Sequence, residues 1–122
     1  MYVGISPDDG GSLFTTPADA PNVMIWDEAM AFVEELDTNG HDDWRVPVSG
    51  ELRVLFENRD KGVLKDTFDK SGSGPSAWFW SATEDPDVPD YAWMKRFSGN
   101  YSGYVRKSQA VSVRPVRSEP RP

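Results

Sequence analysis

Apolar residues recur along this chain with two different periods, and the changes of period divide it into elements. Tyr2-Val3-Gly4-Ile5 is a short apolar run stopped by Pro7-Asp8-Asp9-Gly10-Gly11, a turn-forming sequence. Leu13-Phe14 starts a second run that Pro17 and Pro21 end, which predicts an opening hairpin. Between residues 26 and 36 the period lengthens. Trp26, Ala29, Met30, Val33 and Leu36 fall three or four apart and make one stripe of a helix. Asp27 and Glu28 suit its first turn, and Asn39-Gly40 is the expected left-handed stop. A second helix is predicted over 50–59, with Leu52, Leu55 and Phe56 on one side and Ser49 as N-cap.

Residues 58–74 are polar and glycine-bearing and read as a loop with one turn around Phe68. Strands are expected at 77–83, 91–98, 103–106 and 110–116, with an acidic, proline-bearing loop at 84–90 and a turn at Ser98-Gly99-Asn100. Helices followed by a run of short strands is an α+β order, not the alternation that builds a parallel sheet. One domain over 1–117 is expected, with a loose tail at 118–122. No repeat or linker divides the 122 residues.

Composition narrows the chemistry. The chain has no cysteine, so it holds no disulfide and no thiolate metal site. Its core must come from five Trp, six Phe and four Tyr together with the aliphatic residues. No apolar run approaches the ~18 residues of a membrane span, and Met1 is not followed by a charged and then apolar signal segment. The net charge of −7 is unevenly spread. Ten carboxylates and no Lys or Arg precede Arg45; from Lys95 onward seven Lys and Arg meet only Glu119. Either the two halves neutralise each other in space or the C-terminal strands present a basic face. The overall acidity argues against a nucleic-acid partner.

Candidate sites follow from residue type. His41-Asp42-Asp43 has metal-compatible atoms but no second His or Cys to complete a zinc set. Catalysis by this histidine has no Cys or G-x-S-x-G serine to act on. Asp85, Asp87 and Asp90 are spaced along the 84–90 loop as calcium ligands can be, but the typical sugar-lectin calcium pairs are absent and the loop reads first as a solvated acidic one. Trp78, Trp80, Trp93, Tyr91 and Phe97 could form an aromatic platform for sugar rings, but most are expected in the core. One strand face is buried on this reading, which leaves Phe79 or Met94 on the other. Tyr101 and Tyr104, in a glycine-bearing stretch, have the composition of an adaptable recognition loop. Lys95, Arg96, Arg106 and Lys107 are the residues of the possible basic face.

Asp43-Trp44-Arg45-Val46-Pro47 followed by Glu51-Leu52 resembles the D-W-R-L-P-T-x-x-E-L signature of the Lcl C-terminal domain family. That family is named for the C-terminal domain of a bacterial collagen-like adhesin. Trp26-Asp27-Glu28-Ala29 is similar to its W-x-E-A helix start, and Trp78-Phe79-Trp80-Ser81-Ala82-Thr83 to its W-Y-W-S-S-T strand. Ala92-Trp93 through Arg96-Phe97-Ser98-Gly99 resembles A-W-x-x-R-F-S-D-G, and Val113-Arg114-Pro115-Val116-Arg117 resembles the closing L-R-C-V-R. Pieces of the pattern also occur in sulfatase-modifying domains and in the variable proteins of diversity-generating retroelements.

The resemblance implies a C-type-lectin-like fold: two helices, a short antiparallel multi-strand sheet, and paired N- and C-terminal strands, with 2–5 beside 112–116. It marks Trp26, Trp44, Arg45, Pro47, Glu51, Trp80, Trp93 and Arg114 as structural, with Arg45 pairing Glu51 or Asp43. Two positions depart from the family pattern. Its capping Thr is Val48 here and its closing Cys is Pro115. The family is often exported or surface-attached. The expected function is non-catalytic recognition of a glycan or protein through loops of the C-terminal half, without a cofactor. The alternative is an oligomerising assembly module of a larger surface or fibrous protein.

Overall fold

The computed structural model describes residues 1–38, 40–65, 67–68, 77–99 and 101–120. The chain is α+β. Strand β1 (Tyr2–Ile5) and strand β2 (Ser12–Thr15) form the opening hairpin; helix α1 (Trp26–Glu34) and helix α2 (Ser49–Asn58) follow, then a 3-10 turn at Gly62–Leu64. Strands β3 (Trp78–Glu84), β4 (Tyr91–Arg96) and β5 (Tyr101–Arg106) make an antiparallel meander, and β6 (Val116–Glu119) closes the chain.

The described residues form two three-stranded sheets, ordered β1-β2-β6 and β3-β4-β5. In the first, β2 is central, and Leu13 sits opposite Ser118 and Phe14 opposite Arg117. The N- and C-terminal parts therefore do pair, but through β2. Residues 2–5 pair only with β2 and form the edge, contrary to the expected contact with 112–116. Ser118 and Glu119, expected to be loose, are part of β6. Residues 111–113 are engaged elsewhere, bonding Ala20, Met24, Trp78 and Trp80. Val111 and Ser112 bridge to Met24 and Phe79; regular pairing resumes only at Val116. Residues 121–122 lie outside the described residues.

The meander is covered on both faces, which overturns the expectation of a single buried face. Phe79 and Met94 are both fully buried. Trp80 is opposite Met94 and Phe79 is opposite Lys95, so alternate residues feed two different cores. Trp80, Ala92 and half-buried Trp78 and Val105 pack with Trp26, Ala29 and Val33 of α1. Phe79, Phe97 and half-buried Trp93 pack with Leu52, Leu55 and Phe56 of α2.

Two helix ends differ from expectation. Ser49 is the first helical residue, and the N-cap position is Val48, which has no side-chain acceptor. The lost cap is replaced from elsewhere: Val48 N–H donates to Glu51 Oε1 at 3.1 Å, and Ser49 N–H donates to Thr83 Oγ1 at 2.9 Å. Helix α1 stops at Glu34, well before Gly40. Gly40 takes its positive φ of 78° in a tight turn in which Thr38 and His41 exchange both backbone hydrogen bonds. Residues 69–74 of the expected loop, with Asn39 and Asn100, lie outside the described residues.

Candidate functional site

The signature residues fasten elements together. Trp44 is buried, and its indole N–H is shared between Thr38 O at 3.2 Å and His41 O at 3.1 Å. Arg45 grips Glu51 through two prongs, Nη1–Oε1 at 2.5 Å and Nη2–Oε2 at 2.7 Å, settling the choice of partner in favour of Glu51. Glu51 is fully buried and also accepts from Ser6 Oγ at 2.7 Å. Burial alone would push its carboxyl pKa up; the bonds from Arg45, Ser6 and Val48 outweigh that and hold it below the ordinary value. Trp26 donates its indole N–H to Ser81 O at 3.0 Å and Trp80 to Met24 O at 2.8 Å. Pro47 O accepts from Ala82 N–H, and Trp93 O accepts from Ser81 Oγ, so both anchor β3.

Arg114 is the most deeply held cation, with no exposed surface. Its Nε donates to Thr15 Oγ1 at 3.1 Å, Nη1 to Asp19 Oδ1 at 3.0 Å and Thr67 O at 2.7 Å, and Nη2 to Thr67 Oγ1 at 3.0 Å and Thr16 O. All five guanidinium protons are thus engaged, as a buried arginine requires. Burial pulls its pKa down, and Asp19 counters that pull. Arg117 is likewise clamped by Asp43 at 2.6 Å and Glu119 at 2.7 Å. Two acids of the N-terminal half therefore neutralise two bases of the C-terminal half, which explains part of the charge asymmetry.

The remaining C-terminal bases do not form one face. Lys95 is buried on the α2 side with Nζ 4.2 Å over the Phe56 ring, whereas its neighbour Arg96 faces the opposite way. Lys107 Nζ lies 3.2 Å from Glu84 and 4.2 Å over the Trp26 ring. Tyr101 and Tyr104 are exposed, but an odd separation along β5 puts them on opposite faces of the strand. The structure therefore separates the residues that the sequence grouped.

A different grouping appears at the other end of the meander. Tyr91 and Arg106 are cross-strand partners, and Arg106 Nε donates to Tyr91 Oη at 3.3 Å. Just beyond, Lys107 N–H donates to Asp90 O at 2.8 Å and Lys107 O accepts from Trp26 N–H at 3.0 Å. That double tie brings the 84–90 loop and the start of α1 to the same place. The result is a hollow of about 540 Å³ lined by Asp27, Asp90, Tyr91, Arg106, Lys107 and Ser108 among others. Arg106, Lys107 and Asp90 were candidates in the sequence. Tyr91 was weighed among the aromatics expected mostly in the core; Asp27 and Ser108 were not candidates, because only the backbone ties at Lys107 bring them there.

The acidic loop is organised around its own backbone. Asp85 Oδ1 accepts from the N–H groups of Asp87 at 2.9 Å and Val88 at 3.3 Å, an Asx turn. Among the described residues no group of three or more His, Asp or Glu is placed to hold a metal ion. His41 packs edge-on to Trp44 at 6.5 Å, apart from the hollow.

Comparison with curated proteins returns no similar sequence. The family model of the Lcl C-terminal domain matches residues 9–117, a span that begins in the turn before β2 and takes in both helices, the whole meander and the start of β6. The matched span contains the Arg45–Glu51 clamp, the Arg114 cluster and the hollow alike, and the chain belongs to the Lcl C-terminal domain family.

Proposed function

We propose that this domain is a non-catalytic recognition module with a C-type-lectin-like fold, and that it takes its ligand in the hollow between the start of α1 and the β4–β5 hairpin. The observation that carries this reading is the convergence there of unlike polar groups. Arg106 supplies donors, Asp27 and Asp90 supply acceptors, and Tyr91 supplies an aromatic ring with a hydroxyl. A cleft of this volume with a few fixed polar groups is the usual form of a small-ligand site. Mixed donors and acceptors beside an aromatic ring suit a polyhydroxylated ligand such as a neutral glycan better than an apolar one or a polyanion.

The test is titration of the protein with a panel of neutral oligosaccharides and short peptides, with and without Ca²⁺, followed by Arg106→Ala and Asp27→Asn. Binding that each substitution weakens at least tenfold supports the reading. A panel without binders, or binding indifferent to both substitutions, sinks it. Assembly is the second reading, and one observation favours it: β5 is an edge strand with exposed Tyr101 and Tyr104. Sedimentation showing a stable oligomer that Tyr104→Glu dissociates would support that reading.

A further inference from the structure

Across one end of the meander runs a row of three directly opposed residues: Trp78, the first residue of β3, Arg96, the last of β4, and Tyr101, the first of β5. Opposed residues share a face, so their side chains are neighbours. Trp78 Nε1, Arg96 Nε and, two residues on, Ser98 Oγ are buried and have no hydrogen-bond partner. Elsewhere this protein satisfies such groups. The indoles of Trp26, Trp44 and Trp80 each donate to a backbone carbonyl, and Arg114 and Arg117 are held by several acceptors. Buried donors without partners are costly to a fold, and three together mark a place that an acceptor can fill.

The chemistry of the row selects the acceptor. All three groups can donate, and Arg96 enters none of the ion pairs among the described residues. A Cβ at Gly99 would lie 2.8 Å from Arg96 Nη2, so a larger residue there would push the guanidinium end of Arg96 aside. One positive charge calls for a monoanion, since Lys95 faces the other way, over the Phe56 ring. A planar guanidinium fork calls for a planar partner with two oxygens. Exposed Tyr101, at the solvent end of the row, is placed to touch whatever carries that group.

We propose that Trp78, Arg96 and Ser98 form a binding site for a carboxylate group, with Tyr101 contacting the body of the ligand. The site is separate from the hollow: Arg106 lies at the far end of β5 and, by strand alternation, on the opposite face from Tyr101. Success or failure at either site is therefore read independently.

The experiment follows the indole N–H resonance of Trp78, assigned by its loss in Trp78→Phe, during titration with sodium acetate. Sodium chloride at equal ionic strength is the reference. The expected result is a saturable shift with acetate, weakened at least tenfold in Arg96→Gln and in Arg96→Lys, which keeps the charge but loses the fork. Gly99→Ala, which crowds the guanidinium at the end of a flexible side chain, weakens it as well and decides the matter if the Arg96 variants do not fold. Parallel titrations with glucuronate and N-acetylglycine distinguish a sugar acid from a peptide C-terminus as the source. No saturable shift with acetate, an equal response to chloride, or a response unchanged by the substitutions overturns the proposal.

Discussion

Arg45 and Glu51 meet in a two-pronged ion pair that joins the segment before α2 to the first turn of that helix. They lie six positions apart in sequence, yet the pair also reaches both ends of the chain. Glu51 accepts from Ser6 after β1, and Arg45 donates to Ser118 of β6 at 3.2 Å. Glu51→Gln is expected to leave a half-buried guanidinium without its counter-charge. The expected loss is about 3 kcal/mol, the low end for breaking a buried pair because Arg45 keeps some solvent contact. Urea unfolding at neutral pH measures it.

The same pair makes stability depend on pH. Glu51 and Asp43 both have folded pKa values below their unfolded ones: burial opposes the shift at Glu51 and its hydrogen bonds prevail, while the bond from Arg117 dominates at Asp43. Depressed carboxyl pKa values stabilise the fold above the unfolded values, about 3.9 for Asp and 4.3 for Glu. That contribution is lost as pH falls through the folded values. Melting temperature should therefore be flat near neutrality and fall below about pH 5, with a shallower acid slope in Glu51→Gln than in wild type.

Val48 stands at an N-cap without an acceptor, in extended conformation with ψ of 166°. Threonine has nearly the same shape and would offer its hydroxyl to Glu51 N–H. Val48→Thr is expected to stabilise the domain by about 0.5–1 kcal/mol, seen as a rise in denaturation midpoint with unchanged slope.

Arg114 engages five acceptors, and a lysine cannot reproduce that fork. Arg114→Lys is expected to cost about 3–5 kcal/mol, whereas Arg106→Lys on the exposed strand should stay within about 0.5 kcal/mol. Thermal melts of the two variants side by side check the contrast.

The periodic parts of the sequence determined the local elements. The three- and four-residue spacing from Trp26 to Val33 and from Leu52 to Phe56 placed both helices within a residue or two. Alternating aromatics placed β3 and β4, because side-chain periodicity is local information. The Arg45–Glu51 pair was legible because its members lie close in sequence, Arg45 just before α2 and Glu51 in its first turn. Tertiary structure alone decided the rest. Whether Phe79 or Trp80 faced a core depended on a second layer, and both helices proved to cover the sheet. The position of β6 was set by its pairing with β2, a hundred residues away in sequence. The candidate bases separated because strand alternation sends Lys95 and Arg96 to opposite faces. Asp27 joined Arg106 only because Lys107 ties α1 to the meander by backbone hydrogen bonds, which side-chain patterns do not encode.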